Sequence, residues 1–214
     1  MKKNNSILYI KNSLPNLNLR YKPDNASKYL PSWFKKLSKN ISFFPNPSLN
    51  YDSTAENRSD TFSYTIATIK KCPSVFQYLY YGLVIPLWDD FKLTYNQNYN
   101  IKFSTETTVS YVNNHLRVSL VSPWIFSSDK TIEFYCEKNL YHFEHPTIYD
   151  VVPKLVTVKG PTKIDIDLLF PLSDNDYEII IPAGTPILHM LTANTSFTLG
   201  NEKQPECPFK NLFR

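Results

Sequence analysis

The chain has 214 residues, a formal net charge of +4 and 42% hydrophobic residues, enough to fill one sizeable core and too apolar for wholesale disorder. Only four glycines stand against 16 prolines, which leaves no Gly-rich cradle for phosphates. An aromatic content of 15% favours pleated surfaces, where large rings pack well.

The start, "MKKNNSILYI", is charged, but its apolar run is too short for a signal peptide. Nowhere does the chain approach the ~18 apolar residues of a membrane span. Secretion by a signal peptide and a membrane partner are therefore not expected. Residues 1–60 read as a polar arm rich in Asn, Ser, Lys and Pro. Within it, "KYLPSWFKKLSK" (28–39) places Leu30, Trp33, Phe34 and Leu37 at i, i+3, i+4 and i+7, the spacing of a two-turn helix with Pro31 in its first turn. Its other face carries Lys35, Lys36 and Lys39. One reading clamps Trp33 onto the body of the protein. The other makes Trp33, Lys35, Lys36 and Lys39, with Lys70 and Lys71, a contact surface for a partner or a nucleic acid.

Residues 61–200 read as a β-rich core and 201–214 as a tail. "TFSYTIATIK" (61–70) alternates as a strand. In "KCPSVFQYLYYG", Pro73 suits a first helical position, Val75, Phe76, Leu79 and Tyr80 form an apolar stripe, and Gly82 suits the C′ position. "LVIPLW" (83–88) follows as a buried strand that Pro86 confines to an edge or a bulge. Strands are then expected at 91–95, 99–104, 106–112, 116–121, 130–136, 152–158, 163–170, 176–181 and 185–192, with turns at "NN", "SSD", "KGP", "SDND" and "PAG". Short strands at even spacing, with no long helical pattern between them, predict a mainly β fold. An antiparallel sandwich, a jelly roll or a β-clip-like barrel fits, with one or two short helices near the N-terminal half. The stretch "IIIPAGTPILHML" (179–191) reads as the closing hairpin.

Chemistry-bearing residues are few. "YHFEHP" brings His142, Glu144 and His145 close together, and His189 from another strand could complete a His/His/Glu set for a divalent metal. No His-x-His pair accompanies them. The ordinary reading makes them surface or hydrogen-bonded histidines, with no cofactor. "WDDF" carries Asp89 and Asp90, adjacent residues that suit a turn. Asp165 and Asp167 share a face and read as the solvated side of a strand. Cys72, Cys136 and Cys207 form no Cys-x-x-Cys pair and suggest neither zinc nor a disulfide framework. Cys136, among alternating apolar residues, reads as core. No Gly-x-Ser-x-Gly elbow and no Walker loop is present.

The ordered landmarks "LPSWFKKL", "IKKCPSVFQYLYYGLVIPLWDDF", "SPWIFSSDKTIEFYCEKN", "VVPKLVTV", "KIDIDLLF" and "IIIPAGTPILHML" resemble, over about residues 29–192, a loose group of uncharacterised proteins of tailed phages, especially those of marine bacteria, and of some bacterial genomes. "IPAGTPILHML" is also faintly similar to the last strands of dUTPase-type and dCTP-deaminase-type β folds. His189 stands where that pattern has Gln, and its catalytic Asp has no counterpart beside Thr157 and Val158, so that likeness implies a fold and no chemistry. The phage resemblance carries no function over. The aromatic-rich strands, the basic–aromatic N-terminal helix and the absent catalytic motifs lead us to expect a phage-encoded virion component or a modulator of a host protein, located in the virion or the host cytoplasm and acting on a protein partner or by self-association. A non-enzymatic role is the leading expectation. A small-molecule or metal-binding enzyme with a pocket in a cupin-like or dUTPase-like fold is the alternative.

Overall fold

The computed structural model describes residues 5–14, 19–43, 64–96, 101–103, 107–141, 149–173, 175–192 and 196–200. The chain is mainly β, with several antiparallel sheets in a sandwich-like arrangement and two short α-helices among the described residues. No helix among them is long and apolar enough to cross a membrane. In chain order the elements are β1 (Asn5–Asn12), β2 (Asp24–Asn25), α1 (Ser32–Lys36), β3 (Asn40–Phe43), β4 (Tyr64–Ala67), α2 (Pro73–Tyr80), β5 (Leu83–Pro86), β6 (Phe91–Tyr95), β7 (Ile101–Phe103), β8 (Thr107–Val112) and β9 (His115–Leu120). They continue as β10 (Trp124–Ser128), β11 (Ile132–Lys138), β12 (Asp150–Val151), β13 (Lys154–Val158), β14 (Thr162–Lys163), β15 (Ile166–Pro171), β16 (Tyr177–Ile181), β17 (Pro186–Leu191) and β18 (Ser196–Gly200). Two compact units result: residues 1–29 with 81–214, and residues 30–80.

Among the described residues the larger unit holds four sheets, ordered β14-β10-β1-β18, β13-β11-β17-β5-β2, β12-β15-β9-β8 and β16-β6-β7. Every strand pair in them is antiparallel except β1 with β18. The expected polar arm therefore begins with a strand: β1 pairs with β10, Leu8 opposite Ser128, and Leu8 is fully buried. The core follows the period-2 pattern of the strands. Ile132, Phe134 and Cys136 of β11, Leu116, Val118 and Leu120 of β9, and Leu188 and Met190 of β17 join one apolar cluster. The "NN" turn is a two-residue hairpin loop between β8 and β9, with φ +44° at Asn113 and +63° at Asn114, a conformation that Asn tolerates because its short polar side chain bonds locally.

The stretch 179–191 differs from the expected hairpin. β16 pairs with β6, and β17 pairs with β11 and β5, so the two strands lie in different sheets. The turn between them is a corner, and it is matched by a second corner at residues 87–90 between β5 and β6. The two corners travel together. The Leu87 N–H donates to the Thr185 carbonyl at 2.8 Å, and the Gly184 N–H donates to the Leu87 carbonyl at 2.7 Å. Pro86 stands opposite Pro186, and the register slips between Pro186 and Leu188. Neither proline has an N–H to offer the ladder, so the paired strands bulge and pass from one sheet to the next. This is the bulge that Pro86 led the sequence to expect.

In the smaller unit, helix α1 spans one turn rather than two. Pro31 is its N-cap, with φ −58° and ψ 146°, because a proline disfavours the helical conformation in the residue before it and so excludes Leu30 from the helix. Helix α2 begins at Pro73 and buries Val75 and Leu79, as the apolar stripe predicted.

Candidate functional site

His142, Glu144 and His145 lie outside the described residues, and among the described residues no group of three or more His, Cys, Asp or Glu side chains could hold a metal ion. His189 is well placed to be read. It stands on β17, 1% exposed, opposite Val84 of β5 and Glu137 of β11. Its Nε2 lies 2.8 Å from the Tyr81 carbonyl oxygen. A carbonyl can only accept, so Nε2 carries the proton and donates. The residue below it is Gly82, with φ +89°, where an added Cβ would fall 2.4 Å from the Met190 carbonyl and 3.0 Å from His189 Nε2. Gly82 thus serves both the left-handed turn after α2 and the close approach of the imidazole. Through Nε2, His189 fastens β17 to the entry of β5, the work of a hydrogen-bonded core histidine.

The expected turn role of "WDDF" is observed. Asp90 Oδ1 accepts from the Ala183 N–H at 2.8 Å, and Asp89 Oδ1 accepts from the Asp90 N–H at 2.9 Å. Asp90 ties the two sheet-switching corners to each other, and Asp89 closes its own turn. Cys136 is fully buried, and burial pushes its thiol up to about 12, although the Lys154 ammonium pulls the other way. At neutral pH it is a protonated core residue.

The densest polar cluster was not foreseen. Asp167 of β15 is buried, not solvated, at 7% exposure, while its neighbour Asp165 is exposed. The Ser119 hydroxyl of β9 donates to Asp167 Oδ1. Arg117 Nη2 lies 3.1 Å and Lys154 Nζ 3.7 Å from Oδ2, and Lys154 also donates to the Asp165 carbonyl. Burial pushes the carboxyl up. The Ser119 hydrogen bond, the Arg117 guanidinium and the Lys154 ammonium outweigh it and hold the group below the usual carboxylate range. A carboxylate that gives up its proton so readily is a weak general base. The cluster is a clamp joining β9, β13 and β15. Sequence order concealed it, because Arg117, Lys154 and Asp167 are brought together only by strand pairing. The alternation of Asp165 and Asp167 with apolar neighbours showed which residues share a face, but not which face is covered.

The remaining candidates lie in the smaller unit. Trp33 is half-buried and packs edge-on against the buried Phe34, with centroids 5.7 Å apart. Lys35, Lys36 and Lys39 are exposed. Comparison of the chain with protein-family models, with curated proteins and with solved structures gave no match. Lys70 behaves differently from the other lysines. Its ammonium donates to the carbonyls of Lys35 at 3.1 Å and Leu37 at 2.9 Å, closing the C-terminal end of α1, and it stands 5.6 Å from the centre of the Phe34 ring. A cation at the carbonyl end of a helix is held by both the hydrogen bonds and the helix dipole.

Proposed function

We propose that the protein is a non-catalytic, β-rich interaction protein encoded by a tailed phage, acting as a virion component or as a modulator of a host protein. One observation carries this reading: large apolar side chains stand uncovered on the outermost strands of two sheets. On β13, the edge of the five-stranded sheet, Leu155 is 80% exposed beside the exposed Tyr135 of β11, its register partner. On β8, the edge of a four-stranded sheet, Val109, Tyr111 and Val112 are exposed. Val109 and Tyr111 pair with Val118 and Leu116, and so share the face on which those two residues are buried. Uncovered apolar residues on sheet edges favour association with another polypeptide, through side chains and through the open backbone ladder. The resemblance to tailed-phage proteins supports a partner in the virion or the host.

The test is to express tagged wild-type, L155E and V109E/Y111E chains during infection and to analyse both purified particles and affinity-captured fractions. The wild type is expected in particles or in stoichiometric complex with one host protein. The charged variants, with unchanged circular dichroism, are expected to lose that association. Absence of the wild type from particles, together with no captured partner, overturns the proposal.

A further inference from the structure

We infer that residues 30–80 carry a binding surface for single-stranded nucleic acid, built from Lys35, Lys36, Lys39 and Lys71 with the exposed ring of Phe76. The first observation is charge asymmetry. Residues 30–80 hold six Lys and Arg against three Asp and Glu, so this minor segment supplies +3 of the chain's net +4. Its described residues, 30–43 and 64–80, contain five lysines and no acidic side chain.

The second observation is convergence. The ammonium of Lys70 bonds the carbonyls of Lys35 and Leu37. The Thr68 N–H donates to the Lys39 carbonyl at 3.0 Å, and the Thr68 hydroxyl donates to the Ser38 carbonyl at 2.6 Å. The segment after α1 is thereby stitched to the turn that bears Lys70 and Lys71, and cations more than thirty residues apart are gathered at one place. Lys70 is used up in the stitching. Lys35, Lys36, Lys39 and Lys71 are exposed, and none of the four pairs with a carboxylate among the described residues. The cost of holding like charges together falls when phosphates neutralise them.

The third observation separates single strands from duplexes. Phe76 starts one turn into α2, its N–H bonded to the Cys72 carbonyl beside Lys71. Phe76 is 44% exposed, and one face of its ring stacks on Tyr80 at 4.1 Å between centroids. An exposed ring on the helix that follows Lys71 offers a platform for an unstacked base, whereas the faces of duplex bases are already covered. Lysine ammonium groups are point charges on flexible stems, suited to backbone contact without sequence readout.

Fluorescence anisotropy of the full chain with a labelled 20-nucleotide oligo(dT) tests the inference. Four phosphate contacts give a salt slope of roughly −3, so affinity is expected to fall about fifty-fold between 50 and 200 mM salt. The K35Q/K36Q/K39Q/K71Q variant, melting as the wild type does, is expected to lose binding and flatten the slope. F76A is expected to weaken binding about ten-fold while leaving the slope unchanged. Undetectable binding at 50 mM salt, or equal binding by the quadruple variant, overturns the inference. So does binding at least as tight to a 20-base-pair duplex, to polyglutamate or to phosphatidylserine vesicles. This inference uses none of the residues of the apolar sheet edges, so its failure leaves the protein-partner proposal standing, and the reverse also holds.

Discussion

Most of the buried apolar residues of the larger unit form one cluster, from Leu8 on β1 to Met190 on β17. In residues 30–80 the buried hydrophobic residues among those described are Phe34, Val75 and Leu79. The larger unit also neutralises its buried charge internally, with Asp167 held by Arg117, Lys154 and Ser119. The smaller one leaves four lysines facing solvent and spends only Lys70 on structure. Stability is concentrated where apolar area is removed from water, and charge is displayed where it is not. A segment with little core can carry a partner surface, because charge there competes with few packing demands.

Substitutions can break or sharpen this contrast. The largest effect is expected from Phe134→Ala, a fully buried side chain at the centre of β11, with a loss of about 3–5 kcal/mol measured by denaturant unfolding. A change under 1 kcal/mol would mean that the cluster is not the seat of stability. Next, Asp167→Asn is expected to cost about 1–3 kcal/mol near pH 7, since Arg117 and Lys154 keep partial access to solvent. The sign of its pH dependence follows from the lowered folded-state affinity for protons. The carboxylate's contribution is fully present above its unfolded value, about pH 4, and disappears as pH falls through the folded one. The gap between wild type and variant should therefore close in acid, and a gap that widened would refute the clamp.

His189→Leu leaves the Tyr81 carbonyl without its donor and is expected to cost about 1–3 kcal/mol, whereas His189→Gln can restore part of it by donating from its amide. Equal losses for the two variants would show that the hydrogen bond is not what His189 contributes. The smallest effect is expected from Lys70→Met, about 0.3–1 kcal/mol. It should appear in hydrogen exchange as faster opening at Lys35–Leu37, with the amides of β11 and β17 unmoved. Faster exchange in β11 as well would mean that the two units are one cooperative structure.

Much of the strand content was legible because it is local. β6 runs over 91–95 as expected, β16 and β17 fall within a residue of their expected bounds, and helix α2 starts at its proline and ends before the left-handed Gly82. Period-2 alternation, proline's missing donor and glycine's freedom at positive φ each act over a few residues, so a short window of sequence carries them. β1 escaped notice because it sits among polar residues, and β10 because it is short; partners far along the chain complete both. Which strands pair was not local either. The hairpin expected at 179–191 became a corner because β6 and β11 compete for its two strands.

The same division holds for the sites. The sequence by itself determined that His189 lies among apolar neighbours, that Asp89 and Asp90 suit a turn, and that the lysines near Trp33 are numerous. Only the tertiary structure decided that His189 donates to the Tyr81 carbonyl, that Asp167 is an internal anchor and Asp165 is not, and that Lys70 is spent while Lys35, Lys36, Lys39 and Lys71 remain exposed. A side chain's neighbours along the chain set which way it points. Its burial and its charge partners come from strands and turns far away in sequence, and those exist only once the sheets have paired.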